Sequence, residues 1–192
     1  MLNSDKQTFF NKKSAAKERG FSLLEAIVAI FIMTIGLVGT AAAITYALQF
    51  GAISRNVTKA KLAVIASIEE IESLRNSRRL NYRQIANAGR VDNTDAANPF
   101  AGFSNGFQPV SMDPGADGVN GTGDDLRSAG SDGRFGTADD FDNPGLAVGG
   151  YSRRITITDL SRSLKKIEIK VRYPGSGGAI GEITGVCYLN DE

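Results

Sequence analysis

Residues 26–48 read AIVAIFIMTIGLVGTAAAITYAL, a stretch without a single charged side chain and with few polar ones. At about 1.5 Å of rise per residue, an α-helix of this length spans roughly 35 Å, which is enough to cross a lipid bilayer. The stretch therefore predicts a membrane-spanning helix, for which we take the bounds 21–48.

Basic residues are concentrated on the N-terminal side of this stretch. Residues 1–20 contain five Lys or Arg and two acidic residues, whereas the whole chain has a formal charge of only +1. The positive-inside rule predicts that residues 1–20 lie in the cytoplasm and that the bulk of the chain lies across the membrane. A secretory signal peptide cut within residues 39–43 is the alternative, and it predicts a shorter apolar core.

The helical pattern continues beyond the apolar stretch. Apolar residues recur at intervals of three, four or seven positions, with charged residues between them, and no proline interrupts residues 22–86. This pattern predicts an amphipathic helix over 49–88 that continues the membrane helix. The apolar positions are Ile53, Val57, Val64, Ile68, Ile71 and Leu74.

Two further regions follow the helix. Residues 89–150 are rich in Gly, Asp, Asn, Ser and Pro, which predicts a long loop. Segments 151–159, 164–173 and 182–189 alternate β-branched and polar residues, which predicts an antiparallel sheet of about three strands within 151–192. The predicted class is α+β, with one long N-terminal helix packed on a small sheet. Its core-facing strand residues are predicted to be Ile155, Ile157, Ile167, Ile169, Val171, Ile183 and Val186.

The composition argues against several functions. The chain has no histidine, which excludes Ser-His and Cys-His catalysis, and its loop aspartates lie among glycines with no apolar pocket evident to shift their pKa values. We therefore expect no enzyme activity, and the charge balance gives no argument for a nucleic-acid partner. The single cysteine, Cys187, cannot close an intrachain disulfide and is predicted to be a small apolar residue inside a strand.

The loop contains an acidic repeat. Residues 117–125 (DGVNGTGDD) and 132–140 (DGRFGTADD) repeat with a period of 15 residues. Calcium prefers six to eight oxygen ligands on a flexible, glycine-turned backbone, so the repeat predicts calcium as a cofactor. The alternative is a solvated acidic turn repeat that binds no ion, because Asp-Gly pairs also form turns. The candidate ligands are Asp113, Asp117, Asp124, Asp125, Asp132, Asp139 and Asp140.

The first of these segments partly resembles an EF-hand loop. Asp113, Asp117 and Asp124 stand at its first, fifth and twelfth positions, and Gly118 stands at the sixth. It departs from that pattern because Gly115 occupies the third position and the twelfth is Asp rather than Glu.

Residues 17–29 (KERGFSLLEAIVA) resemble the prepilin motif. In that family a basic leader ends in glycine, a phenylalanine opens an apolar helix, and a glutamate stands fifth after the cut. The resemblance implies that prepilin peptidase cleaves between Gly20 and Phe21 and then N-methylates Phe21. Glycine at the cut leaves room for a protease to approach the backbone.

Glu25 is the predicted assembly residue. A carboxylate at the edge of an apolar helix costs several kcal/mol if it stays unpaired in lipid, so it requires a partner. The resemblance implies that this partner is the N-terminal amine of a neighbouring subunit. A helix-start carboxylate stabilised by the helix dipole and wetted by headgroups is the alternative.

The resemblance also implies a function and a location. The expected protein is pilin-like, and the lack of a helix proline that many major pilins carry favours a minor subunit, similar to the family of type IV pilus modification proteins. The alternatives are a minor pseudopilin of type II secretion, similar to pseudopilin I, and a membrane-anchored calcium-binding adhesive module. Expected partners are other pilin or pseudopilin subunits, prepilin peptidase, an inner-membrane assembly platform, and membrane lipid before assembly. The expected location is the bacterial inner membrane with the N-terminus in the cytoplasm, followed by a periplasmic or cell-surface filament.

Overall fold

The computed structural model describes residues 22–191. Its first element is the helix α1, Leu23–Asn76, which is 54 residues long. The chain divides into two compact units, Met1–Tyr46 and Ala47–Glu192, and α1 contributes to both. In the first unit, all the described residues except Ser22 belong to α1.

The helix ends earlier than the sequence pattern predicts, at Asn76 rather than at residue 88. Arg78 adopts a left-handed conformation with φ of 57°, and the backbone N–H groups of Arg79 and Leu80 both donate to the carbonyl of Leu74. This backbone arrangement closes a helix C-terminus. Beyond this point, Leu80 and Ile85 are buried in a segment that is not helical. They are apolar because they pack in the core, and not because the helix continues.

The second unit contains two antiparallel sheets. The main sheet has four strands in the order β1-β4-β5-β6, and a small sheet pairs β2 with β3. The strands are β1 (Gln108–Ser111), β2 (Arg127–Ser128), β3 (Phe141–Asp142), β4 (Ala147–Asp159), β5 (Leu164–Pro174) and β6 (Ile180–Asn190). Short 3₁₀ helices precede β4 at Pro144–Leu146 and β6 at Ser176–Gly178.

The sheet is larger than the three strands that the sequence predicts. The additional strand is β1, which lies inside the predicted loop 89–150, and β4 begins at Ala147 rather than at residue 151. Strand β1 has only four residues and includes Pro109, and such a segment gives no clear alternating pattern. The predicted helix-on-sheet α+β architecture is confirmed.

The core lies between α1 and the inner face of the main sheet. Helix residues Ala60, Val64, Ile71 and Leu74 are buried against strand residues from β4 and β5. Those strand residues, Ile155, Ile157, Ile167, Ile169 and Val171, are at most 5% exposed, as predicted.

The prediction for β6 was wrong in one residue. Ile183, Cys187 and Leu189 face the core, whereas Val186 lies on the outer face and is 45% exposed. Successive strand side chains point to opposite faces, so Ile183 and Val186 cannot both be core-facing in a regular strand. Cys187 lies within β6, as predicted, and is half-buried.

Candidate functional site

The N-terminal part of α1 is an exposed apolar surface. Every residue from 22 to 50 is exposed, including large side chains such as Leu23 (81%), Phe31 (67%) and Leu48 (71%). Among the described residues, α1 is the one helix long and apolar enough to cross a membrane, with a mean hydropathy of 2.5 over its most apolar 18-residue window and none of that window buried. A soluble domain does not normally leave so large an apolar surface in water.

The threonine side chains in this part of the helix form hydrogen bonds within it. Three threonine hydroxyls donate to backbone carbonyls of the preceding turn: Thr34 to Ile30 (2.7 Å), Thr40 to Leu37 (2.9 Å) and Thr45 to Ala41 (2.9 Å). Such internal bonds let hydroxyl groups enter an apolar environment without an unpaired donor.

Glu25 lies in the first turn of α1 and is exposed. The backbone N–H of Ala26 donates to the carbonyl of Ser22 at 3.1 Å, so the helical hydrogen bonding starts immediately before this carboxylate. An acidic group in the first turn interacts favourably with the helix dipole. The predicted cleavage residues Gly20 and Phe21 lie outside the described residues.

Small residues leave part of the helix surface open to close contact. A Cβ atom placed on Gly36 or Gly39 would meet no neighbouring heavy atom within 4 Å. Small residues at such positions allow the backbones of neighbouring helices to approach each other. This surface can therefore contact either lipid or other helices.

The two copies of the acidic repeat fold in the same way. In each copy, carboxylates accept hydrogen bonds from backbone N–H groups at equivalent positions, and glycines with positive φ, such as Gly118 (65°) and Gly133 (67°), form the turns. The equivalent bonds are Ala116 N to Asp124 Oδ2 (2.7 Å) and Ser131 N to Asp139 Oδ2 (2.8 Å), Gly121 N to Asp125 Oδ2 (2.7 Å) and Gly136 N to Asp140 Oδ2 (2.8 Å), and Val119 N to Asp117 Oδ1 and Arg134 N to Asp132 Oδ1 (both 2.8 Å).

Each copy places a threonine among its carboxylates. Thr122 Oγ1 lies 2.6 Å from Asp124 Oδ1, and Thr137 Oγ1 lies 2.6 Å from Asp139 Oδ1. The structure thus groups Asp117, Asp124 and Asp125 in one copy and Asp132, Asp139 and Asp140 in the other, while Asp113 accepts a bond from Gly115 N. Within residues 22–191, no three His, Cys, Asp or Glu side chains form a group that could hold a metal ion. Calcium binding stays a prediction.

Comparison with known protein families identifies the N-terminal segment. Residues 15–41 match the model described as the prokaryotic N-terminal methylation motif. The chain carries this methylation motif. The motif is the signal of type IV pilins and pseudopilins, and it indicates processing by prepilin peptidase and assembly with other pilin subunits. A search of curated proteins and a search of solved structures each found no match.

The match spans the positions on which the predicted assembly site depends. It includes Gly20, Phe21 and Glu25, and it extends into the exposed apolar part of α1. The methylation motif and the apolar helix together suggest anchoring in the inner membrane. Residues 1–14 and 42–192 lie outside the matched segment.

A buried ion pair attaches the first acidic copy to the core, and sequence reasoning missed it. Arg153 Nη2 on β4 lies 3.4 Å from Asp125 Oδ2, and Arg153 Nη1 donates to the hydroxyl of Ser67 on α1 at 2.8 Å. Beside it, Asn120 donates two bonds of 3.0 Å to Glu70 on α1. The available signal was Arg153 itself, a charged residue in phase with the core-facing strand residue Ile155.

Burial changes the pKa values of carboxyl groups in this loop. Desolvation raises the pKa of Asp117 to about 6. Desolvation also raises the pKa of Asp125, although hydrogen bonds from Gly121 and Thr122 and the charge of Arg153 oppose the shift, and desolvation lowers the pKa of the Arg153 guanidinium. In the second copy, hydrogen bonds from Thr137 and Ser131 lower the pKa of the exposed Asp139. The two copies thus share a backbone fold but differ in environment.

Proposed function

We propose that this chain is a minor subunit of a type IV pilus, inserted in the inner membrane and then assembled into a filament through the N-terminal part of α1. The observation that carries the proposal is the complete exposure of residues 22–50 within the helix that the methylation motif opens. On this proposal the chain has a structural role and no catalytic one.

The apolar surface of α1 is suited to contact lipid first and neighbouring helices later. Burying one exposed Leu, Ile or Phe side chain stabilises a protein by about 1.5–3 kcal/mol, and α1 exposes many of them between residues 23 and 50. Lipid covers this surface before assembly, and the corresponding helices of neighbouring subunits cover it afterwards. The open surface at Gly36 and Gly39 supports close contact between such helices.

The processing and pairing steps follow from the motif. Prepilin peptidase removes residues 1–20 at the cytoplasmic face and methylates the new terminus, Phe21. Glu25 then accepts the N-terminal amine of a neighbouring subunit, and this pairing sets the axial position of the two subunits. The exposed place of Glu25 in the first helical turn is compatible with that contact.

The assignment to a minor subunit rests on the sequence of α1. The chain has no proline within α1, whereas many major pilins resemble one another in carrying one. A minor pseudopilin of type II secretion fits the same helix. A pilus subunit is recovered in pili sheared from the cell surface, whereas a pseudopilin stays with the cell envelope.

The intact mass of the chain recovered from producing cells tests the proposal. We expect the loss of residues 1–20 and the gain of one methyl group when prepilin peptidase is present, and the uncut chain when it is absent. A Gly20→Ala variant tests whether the cut depends on that residue, and Gly36→Ala is the matched control outside the cleavage site. A cut within residues 39–43 would instead establish the release of a soluble secreted domain.

A further inference from the structure

The two edges of the main sheet differ in how well they are protected. The β1 edge is four residues long, contains Pro109 and has a register shift between Pro109 and Ser111. Short length, proline and bulges are the features that keep a strand edge from pairing with another chain. The β6 edge is eleven residues long and has no proline, Lys or Arg, and Glu182 is its one charged residue. Among residues 22–191, no strand pairs with the outer edge of β6.

The side chains of β6 are also incompletely covered. On the core side, Ile183 and Cys187 are only partly buried, whereas Val171 and Ile167, which pair with them on β5, are 0% and 1% exposed. On the outer face, Tyr188 is 62% exposed. Burial is thus complete at the central strand of the sheet and incomplete at its edge, where one more strand would cover Ile183 and Cys187.

Helix α1 provides an apolar surface beside this edge. A Cβ atom on Gly185 would collide with Val64 Cγ1 and would lie 3.6 Å from Ile68 Cδ1, so β6 lies directly against this part of the helix. Ile65 precedes Ile68 by three residues and therefore lies on the same side of the helix, where it is 50% exposed. An additional strand next to β6 would place its inward side chains over Ile65 and Ile68.

A second copy of this chain fits the edge poorly. Two β6 strands could pair in antiparallel fashion about a twofold axis perpendicular to the sheet. Residues 47–76 of the two helices would then point in opposite directions. The two Ala47 ends, each joined to a membrane-length apolar stretch, would then lie at opposite ends of the pair. Parallel pairing about a twofold axis along the strands would place the two helices on opposite faces of the sheet, and pairing of β6 with β1 of another copy meets Pro109 and the register shift.

We propose that β6 accepts an extended strand from a different polypeptide. Every second side chain of the partner segment points inward, and these inward side chains are apolar and contact Ile65 and Ile68. Backbone hydrogen bonds to β6 supply affinity, and the alternate side chains supply specificity. This contact goes beyond the proposed assembly through the N-terminal part of α1, and it relies on that proposal only to exclude a second β6 as the partner.

Photo-cross-linking in producing cells tests this proposal with the full chain. A photoreactive amino acid is placed in turn at Glu182, Thr184 and Val186, and the partner residue linked at each position is mapped by mass spectrometry. We expect links to one other protein, with the linked partner position moving by two residues for each step of two along β6. A reactive residue at Thr156, which is exposed on the outer face of β4, is the position control and should give no such series.

A charged variant provides the matched test of the edge. Val186→Lys places a lysine on the outer face of β6, opposite Glu168, where it opposes strand addition, and we expect the cross-linking yield at Thr184 to fall several-fold. Thr156→Lys makes the same change on β4, also opposite Glu168, and should leave that yield unchanged. Links only to copies of this chain, links without the two-residue progression, or equal yields in the two variants would overturn the proposal. Leader cleavage, measured in the same samples, reports separately on the proposed function.

Discussion

Arg153 Nη2 and Asp125 Oδ2 form an ion pair at 3.4 Å, and both side chains are buried, with 7% and 3% exposure. The pair joins β4 to the first copy of the acidic repeat, and Ser67 extends it to α1. Removing one partner of such a pair leaves a charge in a dry environment without its counter-charge. The position of the first acidic copy therefore depends on these three side chains.

The first prediction concerns this ion pair. Arg153→Met should lower the free energy of unfolding by about 3–5 kcal/mol, because Asp125 would remain buried and unpaired. Urea unfolding of the full chain in detergent, followed by tyrosine fluorescence, measures the change. Arg83→Met is the control: Arg83 Nη1 lies 3.2 Å from Asp95 Oδ2 and the two side chains are 60% and 69% exposed, so the loss should be at most about 1 kcal/mol. Equal losses in the two variants would contradict the role assigned to Arg153.

The second prediction concerns pH. Burial raises the pKa of Asp117 from 3.8 to about 6, so the folded chain binds this proton more tightly than the unfolded chain does. Stability should therefore rise as the pH falls from about 6 to 3.8, and the upward pKa shift of Asp125 acts in the same direction. Melting temperatures of the wild type and Asp117→Asn at several pH values within this window measure the effect.

The variant should show a flatter pH dependence than the wild type. Asp132→Asn is the matched control, since Asp132 occupies the equivalent position in the second copy but is exposed. It should retain the wild-type dependence on pH. If Asp117→Asn and the wild type gain the same stability between pH 6 and pH 4, the burial of Asp117 does not control this titration.

The third prediction concerns the contact of β6 with α1. Gly185 has no room for a side chain, because a Cβ atom there would collide with Val64 Cγ1. Gly185→Ala should lower the free energy of unfolding by about 1–3 kcal/mol through overpacking. Gly149→Ala, on β4, meets no heavy atom within 4 Å and should change stability by less than about 0.5 kcal/mol. Unchanged stability of Gly185→Ala in urea unfolding would mean that β6 does not approach the helix so closely.

These contacts also show how far the sequence alone predicts the fold. The helix and the hairpin of β4 and β5 were predictable, because their apolar residues repeat with the periods of a helix and a strand. The end of α1 was not predictable from the sequence, since it depends on the left-handed conformation of Arg78. Glycine is the residue that usually adopts this conformation at the end of a helix. Strand β1 was missed because it has only four residues, one of which is proline. Such a segment forms a strand only by pairing with a neighbouring strand, here β4.

The candidate site was predictable to a different extent in its two parts. The methylation motif is a local sequence pattern, so roles for Gly20, Phe21 and Glu25 can be predicted without a structure, and they stay predictions. The acidic repeat was recognisable from its period, but its attachment to the core was not. Arg153, Ser67 and Asp125 are far apart in sequence and meet only when the loop folds back onto α1 and β4.

The fourth prediction concerns calcium, which the acidic repeat suggests. If the repeat binds calcium, the melting temperature of the full chain should rise with calcium and not with magnesium at equal ionic strength, because a ligand that binds only the folded state stabilises it. Asp139→Asn should reduce the calcium-dependent rise, whereas Asp191→Asn, outside the repeat, should leave it unchanged. No rise in the wild type at millimolar calcium would indicate that the repeat is a turn structure without an ion.

The most direct test of the central claim is the incorporation of Glu25→Ala into filaments. The variant should still be inserted and cleaved, but it should lose the partner of the neighbouring N-terminal amine, at a cost of about 2 kcal/mol or more, which is roughly a 30-fold fall in incorporation. Glu69→Ala, an exposed glutamate in the same helix, should be incorporated like the wild type. The account predicts Glu25→Ala in the membrane fraction and nearly none in sheared filaments. Wild-type amounts of cleaved Glu25→Ala in those filaments would contradict it.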